Sequence, residues 1–355
     1  MARIVYGLSG EGSGHAMRAR VVLAHLVRQG HTVQVATYDR GIAALAKDYD
    51  VTPVEGLTIA ARDNRVSLLR TFAENVKKLP RGARSAREIR EKLFETFDPQ
   101  LVICDFEPLT AHLALRERVP LLTLDNQHFV RYVEHERVPG RAREARTMLT
   151  LVRAMVPRSQ RSIVTSFLPG KPRNERTVLV PPILRPEILE LHPLRGEHVL
   201  VYCTQVYESL IDDLRSLAHV PFRLYGFERA GKERNLDFRK FSAAGFLEDL
   251  AGARAVVATA GFTLLGETLH LGKPLLALPM KGQYEQELNS YLLGKTGWGR
   301  DGRHAGPETI GDFLFRLPQH EEALRTYPRQ DNRKLFAEVD AAIRALIPSA
   351  AGGAS

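Results

Sequence analysis

The chain has 355 residues, of which 44% are hydrophobic and 26% charged, and its formal net charge is +9. This composition is typical of globular proteins and excludes fibrous and largely disordered classes, while the length predicts two domains of about 150 residues each. Cys104 and Cys203 stand in apolar runs without CxxC spacing, which excludes a disulfide framework and a zinc cluster.

The N-terminus lacks the features of a secretory signal, and no apolar run reaches the roughly 18 residues that a membrane span needs. We therefore expect a cytoplasmic protein. The positive charge, concentrated between Arg131 and Arg161, favours an anionic partner, although arginines on solvated faces explain it as well. Nucleic acid is not expected, because no aromatic side chains interleave with these arginines in a recognisable binding motif.

The first half of the chain alternates strand and helix patterns. It opens as a βαβ unit, with "ARIVYGLS" and "HTVQVATY" as strands around a helix over residues 16–29. Further strands are predicted at "QLVICD", "VPLLTLD" and "RSIVTS", with helices near 109–117 and 140–156, and two helices broken near "LPRGA" are expected between Val66 and Phe97. This order predicts a parallel sheet with crossover helices.

Four prolines interrupt the pattern over residues 180–198, and the alternation then restarts with strands at "VLVYCT", "FRLYGF", "FRKFSAAGF", "AVVATAG" and "PLLALP". We predict an N-terminal Rossmann-like domain over residues 1–182 and a second over 197–318. Helices over 319–348 are expected to pack back on the first domain, and the "PSAAGGAS" tail is expected to be disordered. Ligands of such sheets bind beyond the carboxyl ends of the strands, so two facing domains would share one cleft.

Candidate site residues lie at the ends of two strands of the first domain, "ARIVYGLS" and "QLVICD". Gly10, Gly12 and Gly14 form a loop before a helix, but the spacing departs from a dinucleotide fingerprint and leaves a dehydrogenase unsupported. His15 comes next and either caps the helix by bonding a carbonyl or takes part in chemistry. Asp105 ends the "LVICD" strand, where it either caps the following helix or orients a histidine.

Residues 255–299 carry the most specific pattern. A strand ends in a glycine turn, a helix begins near Phe262 with Glu267 in its second turn, and a second strand ends before Gln283 and Glu285. Amides at a helix N-terminus attract phosphate, a carboxylate one turn later can accept hydrogen bonds from a ribose, and a Glu-Gln pair can hold sugar hydroxyls.

The stretch "GFTLLGETLHLGKPLLALPMKGQYEQELNSYLL" resembles the donor signature of GT-B glycosyltransferases, including the peptidoglycan N-acetylglucosaminyltransferase and the antibiotic and plant secondary-metabolite enzymes. "GEGSGHAMR" and "LVICDFEP" resemble elements of the N-terminal domain in the same family. The tryptophan of the plant signature is not at its place, since Trp298 follows the motif, so the bacterial branches are the nearer models.

The resemblance implies an α/β fold of two Rossmann-like domains facing across a cleft, and an inverting glycosyltransferase without metal or cofactor. No DxD-type acidic pair is evident. His15 would be the general base and Asp105 its partner, and the donor would be a nucleotide-diphosphate sugar, expected to be a UDP-sugar. The implied donor-binding residues are Gly14, Phe246, Gly261, Phe262, Thr263, Glu267, Gln283, Glu285 and Gln286. The loop "CTQVYES" resembles a further phosphate-facing element.

The acceptor is not readable from the sequence. Glu107, Asn126 and His128 stand at predicted strand ends and are the candidates for acceptor binding. The basic helix near 140–156 would meet an anionic or lipid-linked acceptor, with peripheral contact at the inner face of the membrane. Two alternatives remain: a nucleotide-sugar epimerase of the same fold, and a non-catalytic protein that binds a nucleotide sugar.

Overall fold

The computed structural model describes residues 1–56, 61–62, 65–66, 86–203, 208–227 and 229–347. Most of the predicted helical stretch between Val66 and Phe97, the centre of the "CTQVYES" loop and the C-terminal tail lie outside these residues. The chain forms two units. One contains Met1–His135, Arg141–Arg185 and the residues from Asp331 onward, and the other contains Glu136–Gly140 and Pro186–Gln330.

A parallel sheet forms the centre of the first unit. Its seven described strands are β1 (Arg3–Leu8), β2 (Thr32–Thr37), β3 (Val51–Pro53), β6 (Leu101–Asp105), β7 (Leu121–Asp125), β8 (Arg161–Thr165) and β9 (Thr177–Val180). Their order across the sheet is β3-β2-β1-β6-β7-β8-β9. A separate antiparallel pair consists of β4 (Ala61–Arg62) and β5 (Arg65–Val66).

Helices pack on both faces of this sheet. They are α1 (Ser13–Arg28), α2 (Arg40–Leu45), α3 (Arg90–Thr96, a π-helix), α4 (Pro108–Arg116), α5 (Phe129–Tyr132), α6 (Ala142–Met155) and α14 (Arg333–Leu346). Successive residues of a strand point to opposite faces, so Tyr6 and Leu8 pack with α1 and α14, while Val5 packs with α4 and α6. Both faces of β1 are therefore buried, which explains its continuous apolar run.

The C-terminal helix α14 belongs to the first unit through specific polar contacts. The Asn332 side chain accepts from the backbone N–H of Leu184 at 3.0 Å and donates to its carbonyl at 2.6 Å. On α14 itself, Asp340 lies 2.8 Å from Nε2 of His25 on α1. These buried contacts join sequence positions more than a hundred residues apart.

The second unit has its own sheet. Its seven described strands are β10 (Val199–Tyr202), β11 (Phe222–Tyr225), β12 (Gly231–Glu233), β13 (Leu236–Phe238), β14 (Ala255–Thr259), β15 (Leu275–Leu278) and β16 (Gly299–Asp301). Their order across the sheet is β12-β13-β11-β10-β14-β15-β16. Only the β12–β13 pair of these described strands is antiparallel.

Helices of the second unit connect these strands. They are α7 (Pro186–Glu190), α8 (Glu208–Ser216), α9 (Ala243–Gly252), α10 (Phe262–His270), α11 (Tyr284–Thr296), α12 (Pro307–Phe315) and α13 (Leu317–Leu324). Ile211 of α8, Phe313 of α12 and Leu317 of α13 pack with Phe222 and Val201 in one apolar cluster. In the described part of the chain, no helix combines the length and apolar character that crossing a bilayer requires.

A buried lysine, Lys273, lies in the connection between α10 and β15. The Lys273 ammonium donates to the carbonyls of Leu194 and Ala253, and its residue is 5% exposed. Burial lowers the pKa of Lys273 from 10.5 to about 8. The folded state therefore holds this proton less tightly than the unfolded chain does.

This pKa shift predicts a pH dependence of stability. Between about pH 8 and pH 10.5 the unfolded chain binds more protons at Lys273, so its contribution to the free energy of unfolding rises with pH. From about pH 7.5 to pH 9.5, wild type should gain about 1 to 2 kcal/mol relative to Lys273→Met, which cannot titrate. Urea unfolding at each pH measures this difference in the free energy of unfolding. The signal is the fluorescence of Trp298, which is the single tryptophan and belongs to the same unit as Lys273. Parallel pH curves for the two proteins would contradict the assignment.

Candidate active site

The carboxyl ends of three neighbouring strands of the first sheet bring the candidate catalytic residues together. The register pairs Leu8 of β1 with Asp105 of β6, and the N–H of Ser9 donates to the Asp105 carbonyl at 3.0 Å. β1 then runs through the glycine loop into α1, whose third residue is His15. The loop and the strand end therefore lie at one edge of the sheet.

His15 and Asp105 form a hydrogen-bonded pair. Nδ1 of His15 lies 2.9 Å from Oδ1 of Asp105, and the side chains are 12% and 0% exposed. The amide nitrogen of Gln127 lies 3.5 Å from the other ring nitrogen, Nε2. When Nδ1 carries the proton toward the carboxylate, Nε2 has a lone pair that can accept a proton.

Arg18 completes this cluster, although the sequence pattern did not identify it. Its Nη2 donates to Oδ1 of Asp105 at 2.8 Å, and Nη1 donates to Oδ1 of Asn126 at 2.9 Å. Burial alone would raise the pKa of Asp105, but the Arg18 charge, followed by His15, outweighs burial and lowers it. Arg18 stands three residues after His15 on α1, and that helical spacing is the signal that could have indicated it.

The glycines of the loop have backbone roles. A Cβ added at Gly10 would lie 1.9 Å from the Tyr38 carbonyl oxygen, so any larger residue would separate the loop from the segment after β2. Gly12 precedes α1 with a φ of 74°, a conformation that side chains disfavour. Both requirements concern how the loop packs and turns. Gly14, predicted to bind donor, lies in the first turn of α1.

The three candidate acceptor residues are buried at the same edge of the sheet. Asn126 receives the Arg18 contact, and the N–H and Nδ1 of His128 lie 2.8 and 2.7 Å from the carboxylate oxygens of Asp125. Glu107 caps α4, because its side chain accepts from the N–H groups of Leu109 and Thr110. Each of the three therefore already has a partner within the protein.

In the second unit, the predicted phosphate-binding residues form the N-terminus of α10. The helix begins two residues after β14, with Gly261 as an N-cap that supplies no side-chain hydrogen bond. Phe262 and Thr263 are the first helical residues, and Glu267 lies in the second turn with 1% exposure. A helix N-terminus of this kind presents backbone N–H groups and a positive dipole end.

The predicted sugar-reading residues lie at the start of α11, which follows the neighbouring strand β15. Gln283 is the N-cap residue, and Glu285 lies in the first turn. Oε1 of Gln286 accepts from the Met280 N–H at 3.0 Å, so this side chain supports the turn before the helix. Asn289 of α11 donates to the carbonyl of Ala260, which connects the two helix starts.

Four aromatic rings cluster near the ends of β10 and β11. Phe246, the predicted contact to the nucleotide base, is 4% exposed and packs edge-on against Tyr202 and Tyr225. Phe241 lies 5.9 Å from Phe246 between ring centroids and is 65% exposed. Phe241, which the sequence pattern did not indicate, therefore exposes far more ring surface than Phe246 does.

Comparison with known proteins shows the family of this chain. Residues 2–318 match the model of glycosyl transferase family 1. The chain belongs to that family. No curated protein sequence matches significantly.

Solved structures share the fold of this glycosyltransferase. The calicheamicin glycosyltransferase CalG4 matches with a TM-score of 0.68 and 17% identity over 97% of this chain and 98% of its own. VinC in complex with DTDP matches with a TM-score of 0.64 and 14% identity over 97% of this chain and 99% of its own. Spinosyn rhamnosyltransferase SpnG complexed with spinosyn aglycone matches with a TM-score of 0.60 and 14% identity over 96% of each chain. The predicted GT-B fold class and the glycosyltransferase activity are confirmed.

The capping role of Glu107 in this glycosyltransferase is testable. Glu107→Ala removes the acceptor of two backbone N–H groups and of the Thr110 hydroxyl at a fully buried position. We expect the first unit to lose about 1 to 3 kcal/mol of stability. Hydrogen exchange of a peptide covering α4 should become faster, while Glu107→Gln, which keeps one acceptor oxygen, should change less. Unchanged protection of the Leu109 and Thr110 amides in Glu107→Ala would contradict this role.

Proposed function

We propose that this glycosyltransferase inverts the anomeric centre of a nucleotide-diphosphate sugar by direct transfer to an acceptor hydroxyl, with His15 as general base and Asp105 as the residue that orients it. The observation that carries the proposal is the 2.9 Å contact between Nδ1 of His15 and the buried carboxylate of Asp105. This contact favours the tautomer in which Nε2 accepts a proton.

In the proposed reaction, the acceptor oxygen attacks the anomeric carbon as the bond from that carbon to the diphosphate oxygen breaks. The hydroxyl proton passes to Nε2 of His15, and the diphosphate leaves with the bonding electrons. A hydroxyl at Nε2 would also lie beside the Gln127 amide, whose nitrogen is 3.5 Å from Nε2 and whose buried Oε1 has no partner within the described chain. Gln127 is thus suited to orient the hydroxyl.

The second unit would bind the donor. The N-terminus of α10 at Gly261, Phe262 and Thr263 is suited to the diphosphate, and Glu267 one turn later to the ribose. VinC was solved with DTDP, which supports a nucleoside-diphosphate sugar as the donor of this chain. Transfer would need no further cofactor and no metal, since helix amides can stabilise the charge that develops on the leaving diphosphate. The preference for UDP over dTDP stays a prediction.

The first unit would select the acceptor. SpnG was solved with an aglycone, which supports a hydroxylated organic molecule as acceptor. On α6, Val152 and Met155 are buried in the core while Arg143, Arg146 and Arg153 are exposed. These arginines are the part of the helix available for the predicted anionic or lipid-linked acceptor or for a membrane surface.

One experiment tests the donor class and separates the alternatives. Thermal unfolding is measured with UDP, dTDP and their glucose conjugates, because a ligand that binds the folded state raises the unfolding temperature. Nucleoside diphosphate release is then measured with and without hydroxylated aglycones. Acceptor-dependent release supports transfer. Conversion of the donor sugar without acceptor would indicate an epimerase, and binding without turnover would indicate a sensor.

Removal of the proposed base predicts a selective loss. His15→Ala should fold and bind UDP or dTDP normally but lose about 10²–10⁴-fold in turnover, the usual contribution of a general base. Asp105→Asn should lose activity too, and the double variant should be little worse than His15→Ala because the two residues act as one unit. Initial rates at saturating donor measure this.

A matched control lies on the same helix. His25 also pairs with an aspartate, Asp340, at 2.8 Å, but ten residues further along α1, about 15 Å from His15. His25→Ala should keep its turnover. If His15→Ala were as active as this control, the base would have to be another residue.

Donor binding is predicted to depend on Glu267. Glu267→Ala should weaken binding by about 1.5 to 3 kcal/mol, or roughly tenfold to 150-fold in Kd, because a carboxylate holding ribose hydroxyls makes charge-assisted hydrogen bonds. Calorimetry with UDP and dTDP measures the change. Glu308→Ala, at an exposed position of α12, is the control and should bind like wild type. Equal affinities in the two variants would remove Glu267 from the donor site.

A further inference from the structure

Arg18 is a buried cation in direct contact with the proposed catalytic pair. The residue is 3% exposed, and its Nη2 donates to the same Asp105 oxygen that faces His15, at 2.8 Å. The same Nη2 lies 3.0 Å from Nδ1 of His15. Nη1 donates to Asn126, so the fork of the guanidinium spans the ends of two strands.

Two hydrogen-bond arrangements are compatible with the distances among Nδ1 of His15, Oδ1 of Asp105 and Nη2 of Arg18. In the first, Nδ1–H and Nη2–H both donate to Oδ1 of Asp105, and Nε2 of His15 keeps its lone pair. In the second, Nη2–H donates to the lone pair of Nδ1, and the ring proton lies on Nε2, where His15 is unable to act as a base. An ionised carboxylate 2.9 Å from Nδ1 repels a lone pair there, so the first arrangement requires Asp105 to stay charged.

The charge of Arg18 acts on both partners. A guanidinium is always protonated, and it compensates the fully buried carboxylate of Asp105. The same charge, 3.0 Å from the imidazole, opposes a second positive charge on His15. In general, a carboxylate beside an imidazole favours the imidazolium, whereas a guanidinium beside it disfavours a second positive charge.

The remaining titratable groups around the pair act on Arg18 less strongly than Asp105 does. They are Tyr6 on β1, Cys104 on β6, and Asp125 with His128 at the end of β7. Burial raises the pKa of the Tyr6 hydroxyl and of the Cys104 thiol, so both are neutral near pH 7. Asp125 is engaged by His128, and Gln127, which faces Nε2 of His15, carries no charge.

We propose that Arg18 is a positioning residue that keeps Asp105 ionised and opposes protonation of His15, so that the imidazole is neutral, with Nε2 unprotonated, in the pH range of the reaction. This inference deepens the proposed function and rests on His15 being the base. Arg18 needs no contact with substrate to act in this way, because its effect passes through Asp105 and the electrostatic field at the ring.

The test is an NMR titration of the imidazole in the full-length protein labelled with ¹⁵N-histidine, with the His15 signals assigned by their absence in His15→Ala. Wild type should show Nδ1 protonated and Nε2 unprotonated at pH 7.5. In Arg18→Gln, which keeps an amide donor but removes the charge, the His15 titration midpoint should rise by about one pH unit or more. Arg18→Lys keeps the charge and should stay close to wild type. Equal midpoints in wild type and Arg18→Gln would overturn the inference.

A second measurement covers the case in which Arg18→Gln does not fold. In Asp105→Asn the carboxylate charge is gone while Arg18 remains, so the His15 midpoint should fall below the value of about 6.5 for free histidine. A midpoint at or above that value would show that Arg18 does not act on the ring.

The readout is independent of the glycosyl-transfer assay. Full activity in His15→Ala would remove the proposed base even if the midpoints shift as expected. Loss of activity in His15→Ala combined with unchanged midpoints would leave the base in place and exclude the role of Arg18. For folded variants, the pH dependence of kcat/KM gives a further check, because the acidic limb in Arg18→Gln should move to higher pH with the titration midpoint.

Discussion

The geometry of the first unit depends on one buried carboxylate. Asp105 is fully excluded from solvent at the end of β6, and an ion at such a position is stable only with close partners. Arg18 and His15, both from the first turns of α1, supply them. The requirement to pair this charge therefore adds a polar constraint to the apolar packing of α1 against the sheet, and it leaves Nε2 as the ring nitrogen of His15 that does not face the carboxylate.

The parallel register makes that pairing possible. Leu8 lies beside Asp105, so the chain leaving β1 must pass the end of β6 before α1 begins. Gly10 and Gly12 allow the turn, the first through its close approach to Tyr38 and the second through its left-handed backbone. The glycine pattern that resembles a nucleotide fingerprint is explained in this unit by packing. A short loop that leads directly into a helix needs glycine for its turn, just as a nucleotide-binding loop does.

Periodicity predicted the central strands and most crossover helices because buried parallel strands are continuous apolar runs, as at Leu101–Asp105 and Ala255–Thr259. The strand predicted at "FRKFSAAGF" was wrong, because Ser242 caps α9 and the segment from Ala243 onward is helical. Periodicity did not predict short edge strands such as Gly231–Glu233, which is fully exposed, because edge strands carry little apolar signal. The pairing of His15 with Asp105 was expected from motif resemblance. The contact of Arg18 with Asp105 was not expected, because the two residues lie 87 positions apart in the sequence and an arginine on a helix ordinarily faces solvent.

In the second unit too, motif resemblance predicted the segment that reaches the site but not the side chain that is available there. Resemblance identified the segment near Phe246 as part of the donor site, but the choice of ring depends on packing, and packing buries Phe246 while leaving Phe241 open. Gln286 likewise fits a sugar-reading pattern, yet its carbonyl oxygen already supports the turn at Met280. A motif specifies which segment reaches the end of a strand. Which side chain of that segment remains available to a ligand is decided by the burial and hydrogen-bond demands of its neighbours, such as Tyr202 and Tyr225 around Phe246 and Met280 before Gln286.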